Sequence, residues 1–128
     1  MAEMTIKKRP KNLDLTTIRL PLPGKVSILH RVSGAGLFLC LPLLIWLFGA
    51  SVGSPETFAT FQSVLSSLPA KVVVAGLIWA YVHHFCAGIR FLLLDLHVGI
   101  EKEAARKSAG VVFAVSVPLT LVLWGVLL

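Results

Sequence analysis

Three stretches of this chain contain no Asp, Glu, Lys or Arg: residues 32–55, 72–89 and 108–128. A bilayer core of about 30 Å needs about 20 helical residues to cross it, so each stretch is long enough, or nearly so, to span. No other feature restricts the fold as tightly, because in hydrocarbon a segment must pair its own backbone polar groups. Composition agrees. The 128 residues are 56% hydrophobic and 14% charged, whereas a soluble domain averages roughly 25% charged. Period-2 alternation is absent, which argues against a β-barrel. The expected class is an all-α membrane protein with three transmembrane helices, over about residues 26–49, 70–94 and 108–128.

Two segments follow from this pattern: a basic tail over residues 1–25 and a three-helix anchor domain over 26–128. The tail sets Lys7, Lys8, Arg9, Lys11, Arg19 and Lys25 against Glu3 and Asp14, and Pro10, Pro21 and Pro23 discourage a long helix there. It has no apolar h-region of a cleavable signal peptide, so a bacterial inner-membrane protein inserted by its first span is expected. Between the first two spans, Ser54-Pro55-Glu56 has the form of an N-cap, a proline at the first helical position and an acid in the first turn. Phe58, Phe61, Val64 and Leu65 follow at helical spacing, which predicts a short helix on the membrane surface. Residues 95–107 read as a loop carrying Asp95, Glu101, Lys102, Glu103, Arg106 and Lys107. Lys and Arg crowd the tail and this second loop. The positive-inside rule therefore places the N-terminus in the cytoplasm and the C-terminus in the periplasm. Trp46 and Trp124 then fall near the outer interface, and Pro118 is a candidate kink in the third span. Cys40 and Cys86 read as apolar thiols inside spans.

Polar residues inside the spans are costly to bury and mark function. Ser27, His30 and Arg31 lie at i, i+3 and i+4 on one helical face, with Gly34 a turn deeper. Counted from Lys25 at about 1.5 Å per residue, His30 and Arg31 lie about 7–9 Å in. A basic cluster at that depth suits carboxylates or a polar quinone head, although Arg31 alone is also explained by snorkelling. The second span carries "WAYVHHFCAGIR", residues 79–90. Adjacent helical residues point about 100° apart, so His83 and His84 cannot share a task. His84 shares a face with Gly88, Phe91 and Asp95, while His83 shares one with Ala87 and Arg90. Arg90 is close enough to Asp95 to snorkel inward. His84 lies about 16 Å from Asp95, near the midplane.

A histidine at that depth needs a partner, which is either a neighbouring helix or a haem iron. Gly88, a turn towards the cytoplasm, would make room for a macrocycle. The residue count puts His30 shallower than His84, so the two are not expected as trans ligands of one iron. The second ligand is expected from another subunit. Haem on His84 would direct its carboxylates towards His30 and Arg31.

Arg9-Pro10, Ser27-x-x-His30-Arg31-x-Ser33, and His84-x-x-x-Gly88-Ile89-Arg90 followed by Asp95 together resemble the cytochrome b556 anchors of bacterial succinate dehydrogenase (complex II). The resemblance covers nearly the whole chain. It implies one of two membrane anchors in a four-subunit enzyme, alongside a flavoprotein subunit that oxidises succinate and an iron–sulfur subunit that passes electrons to ubiquinone. It further implies haem b in a helical bundle shared with the second anchor, and is compatible with a trimer of such assemblies. By motif position, His84 looks like the haem axial ligand, and His30 and Arg31 look like propionate contacts. Ser27 and Arg31 look like ubiquinone-site residues, with Ile28 a wall.

Three positions depart from the pattern: Phe91 where many relatives have histidine, His97 where a small residue is common, and Lys11 where an apolar residue is frequent. The chain carries no catalytic constellation of its own and is not expected to bind succinate. The tail suits anionic lipid or a cytoplasmic protein, and nucleic acid is not an expected partner. Two other readings stand beside this one. One is a haem-free anchor of the fumarate reductase type; the other is a small transporter subunit using His83 and His84 as a relay.

Overall fold

In the computed structural model, residues 14 and 16–128 are described. The Arg9-Pro10 motif and the basic run from Lys7 to Lys11 lie outside them. Four helices follow in chain order, and no strand occurs among the described residues: α1 (Leu22–Val52), α2 (Pro55–Ser66), α3 (Leu68–Asp95) and α4 (Lys102–Leu127). Three of them, α1, α3 and α4, are long and apolar enough to cross a membrane.

Each long helix extends past its expected span, for a local reason. α1 starts at Leu22 because Pro23 falls in the first turn, where no backbone N–H is needed. Its 31 residues reach about 46 Å at 1.5 Å per residue, so its ends project beyond a hydrocarbon core or the helix tilts. α4 starts at Lys102 and passes through Pro118 without a break. The charged residues 102–107 are therefore its opening turns, not a loop. The turn between α3 and α4 contracts to residues 96–101. Two left-handed residues make that possible, His97 at φ 61 and Gly99 at φ 72. Most side chains resist that conformation, and histidine is one of the few that adopt it more readily.

α2 forms where its capping signal predicts. Ser54 Oγ accepts from the Thr57 N–H at 3.3 Å, and the Ser54 N–H donates to Thr57 Oγ1 at 2.8 Å. This is a capping box with threonine in place of the usual acid. Ser54 Oγ also donates to Glu56 at 2.7 Å, which holds that carboxyl below its ordinary pKa.

α3 is the central element, packed against both α1 and α4. The core is thin and built from small groups. Val26, Ala87, Ala109 and Val112 are buried together, while Phe38, Leu39 and Val126 are more than 70% exposed. A bundle whose solvent is lipid has this character, since close approach of small residues replaces a hydrophobic core. Cys40 and Cys86 are half-buried free thiols.

Arg90 departs from expectation. It does not snorkel to the surface but is 5% exposed. Its Nε donates to Ser108 Oγ at 2.9 Å and its Nη2 to the Ala105 carbonyl at 3.1 Å. The early start of α4 at Lys102 brings Ala105 into the helix beside Ser108. At the other end, Trp124 Nε1 donates to the Lys71 carbonyl at 3.2 Å and clasps α4 to the start of α3. Replacing Arg90 by Leu removes two charge-assisted bonds between α3 and α4. We expect Arg90→Leu to lower the thermal unfolding midpoint of the detergent-solubilised protein, with a loss on the order of 1.5–3 kcal/mol.

Candidate functional site

The two adjacent histidines of α3 point into different surroundings. His83 is fully buried. Its ring lies 5.1 Å from Trp79 and 5.4 Å from Phe113 of α4, and neither ring nitrogen has a hydrogen-bond partner among the described residues. His84 faces α1. Its ring stacks on His30 with centroids 4.1 Å apart and planes 5° from parallel. Phe91 closes the stack, its ring tilted 58° at 5.1 Å from His30, with the Arg90 guanidinium 5.4 Å above Phe91.

Two glycines allow the approach. A Cβ on Gly34 would meet His84 Cε1 at 2.6 Å, a distance real contacts do not reach, so α1 can receive this ring at Gly34 only without a side chain. Gly88 answers from α3, where a Cβ would lie 3.6 Å from His30 Nε2, an ordinary contact. The space expected beside Gly88 for a macrocycle is thus faced by the His30 ring.

His84 Nδ1 lies 2.9 Å from the His30 carbonyl oxygen. A carbonyl only accepts, so Nδ1 carries the proton, and in the neutral ring Nε2 then presents a lone pair. Nε2 makes no hydrogen bond to any described residue. This is the arrangement of an imidazole prepared to bind a metal: one nitrogen tied to a backbone oxygen, the other free. A haem iron therefore fits this residue.

The depth estimate that separated His30 from His84 is overturned, since the rings lie level. α1 begins three residues before Lys25, which puts His30 about 12 Å along its helix against about 16 Å for His84. Helix tilt absorbs a difference of that size. Even so, the pair cannot serve one iron as trans ligands. Their lone pairs lie in separate, nearly parallel planes and do not converge.

Of the other α1 residues singled out above, Ser27 is half-buried, Ile28 is 37% exposed and Arg31 is exposed. Arg31 forms no ion pair or hydrogen bond among the described residues. Its charge is available at the same end of the bundle as a cleft formed by Leu22, Lys102, Glu103, Arg106 and Lys107.

Ser33 is the residue that sequence reasoning left without a role. It is buried, donates to the His30 carbonyl at 3.0 Å and lies 3.3 Å from His84 Nδ1. Its position three residues after His30 and next to Gly34 is the signal that could have found it.

A family model for the succinate dehydrogenase/fumarate reductase transmembrane subunit matches residues 5–123. The chain is 41% identical over 120 residues to a succinate dehydrogenase cytochrome b556 subunit of Coxiella burnetii, covering 93% of this chain and 95% of that one. It is 36% identical over 119 residues to the subunit of the same name from Paracoccus denitrificans, covering 93% and 92%. With three membrane-length helices and matches spanning nearly its whole length, the chain belongs to the succinate dehydrogenase/fumarate reductase transmembrane subunit family.

Proposed function

We propose that this chain is the cytochrome b anchor of a succinate:ubiquinone oxidoreductase, holding haem b through His84 together with a second anchor subunit. The observation that carries the proposal is the bond from His84 Nδ1–H to the His30 carbonyl at 2.9 Å. It selects the tautomer that ligates through Nε2. The relatives named succinate dehydrogenase cytochrome b556 subunit support the cytochrome role. Because the His30 ring is stacked on His84 rather than opposed to it, His84 would be this chain's ligand to haem b, and a further ligand would come from the partner anchor. Haem b supplies a one-electron carrier between the iron–sulfur subunit and the quinone.

The chain's own residues do the binding and positioning. Gly34 receives the His84 ring and the His30 carbonyl orients it. His30 and Arg31 supply positive charge and hydrogen bonds for the haem carboxylates. Ser27 donates to a ubiquinone oxygen, Arg31 stabilises the negative charge that develops on it during reduction, and Ile28 offers apolar contact to the ring. The starts of α1 and α4 meet at one cleft, which puts Lys25, Lys102, Arg106 and Lys107 at one end of the bundle. By the positive-inside rule that end is cytoplasmic, in a bacterial inner membrane, and it is the face on which the iron–sulfur and flavoprotein subunits assemble.

Two outcomes test the proposal. The purified complex, reduced with succinate, should show a b-type absorption band, and a complex of full subunit composition without that band contradicts it. Arg31→Ala should lower succinate-driven ubiquinone reduction roughly a hundredfold, the usual weight of one lost oxyanion donor. Reduction of a soluble artificial dye by the same preparation should hold at the wild-type rate. An unchanged quinone rate removes Arg31 from the site.

A further inference from the structure

Ser33, 5% exposed on α1, takes no part in the function just described. Its hydroxyl donates to the His30 carbonyl at 3.0 Å, the same oxygen that accepts from His84 Nδ1 at 2.9 Å. The helical ladder of α1 aims a third donor, the Gly34 N–H, at that oxygen. A carbonyl oxygen has two lone pairs, so three donors share two sites and each bond is weaker than it would be alone. The direct contact of Ser33 Oγ with His84 Nδ1 is longer, at 3.3 Å, and weaker than the two bonds to the carbonyl. Ser33 therefore acts on His84 chiefly through the carbonyl they share.

We propose that Ser33 is a positioning residue that limits how strongly the His30 carbonyl draws on the His84 Nδ1 proton, and thereby raises the reduction potential of the haem bound at Nε2. The proposal rests on His84 being the axial ligand. A stronger hydrogen bond at Nδ1 makes a ligating imidazole more basic. A more basic ligand favours ferric over ferrous iron. By occupying part of the carbonyl, the Ser33 hydroxyl keeps the ligand less basic and makes the one-electron reduction easier.

The test is a redox titration of the detergent-purified complex, followed by the b-type absorption band and by the ferric EPR signal. Ser33→Ala should keep its full haem content. Its reduction constant should shift towards the ferric form by roughly three- to tenfold, tenfold being about 59 mV for one electron and the size of one hydrogen bond. Ser33→Thr keeps a hydroxyl able to bond the same carbonyl and should titrate within about twofold of wild type. If threonine does not fit the buried position, Ser33→Cys, a weaker donor, should fall between wild type and alanine. A Ser33→Ala titration that superimposes on wild type, or moves towards easier reduction, overturns the proposal. The His84→Ala complex separates the two ways of failing. A lost or altered haem there, with Ser33→Ala unmoved, sinks the role of Ser33 alone. An unaltered haem in His84→Ala sinks the ligand assignment and the Ser33 role with it.

Discussion

The contact between His84 and the α1 backbone organises the rest of the site. It requires that α1 and α3 approach closely enough for an imidazole to lie where a Gly34 Cβ would be. That approach brings the His30 carbonyl to Nδ1 at 2.9 Å and the His30 ring into a 4.1 Å stack. The same contact supplies the steric position, the tautomer and the ring orientation. A larger residue at position 34 would remove all three together. Without the carbonyl, the free imidazole would choose its own tautomer and rotamer, and Nε2 would be free only part of the time.

The remainder of the bundle suits lipid as its surroundings. Its large apolar side chains point outward, and small or polar groups occupy the helix contacts: Ala87, Ala109, Ser33, Ser116 and Thr120 are all buried. Bonds to backbone carbonyls do much of the joining between helices, from Arg90 to Ala105, from Trp124 to Lys71 and from His84 to His30. In hydrocarbon the alternative to such a bond is an unsatisfied donor. His83 and Ser116 are the counterexamples: neither the His83 ring nitrogens nor Ser116 Oγ have hydrogen-bond partners among the described residues. Aromatic rings of Trp79 and Phe113 pack around His83.

Much of this was legible in the sequence, and the failures share a cause. The three spans stand out because charge-free runs of that length have few alternatives, and α2 stands out because Ser54-Pro55-Glu56 is a local signal. Faces were also readable: helical periodicity alone separates His83 from His84 and joins His30 to Gly34. Depth was not. Counting from Lys25 misplaced His30, because helix α1 starts before it, and residue counts carry no information on tilt. Residues 102–107 look like a loop by charge, yet they are the exposed opening turns of α4, with Glu103 and Lys107 paired at 3.3 Å. Arg90 looked like a snorkelling cation because its acceptors, Ser108 and Ala105, belong to another helix. Ser33 received no role because its significance depends on a carbonyl shared across two helices. Each error concerns a contact between elements, which periodicity within one element does not encode.

The central claim is that His84, not His83, carries the haem, and one comparison tests it directly: haem content and reduced absorption spectrum of the purified complex bearing His84→Ala or His83→Ala. The account predicts a lost or shifted b-type band for His84→Ala, and a wild-type band, on a less stable complex, for His83→Ala. A wild-type band in His84→Ala together with a lost band in His83→Ala would contradict it.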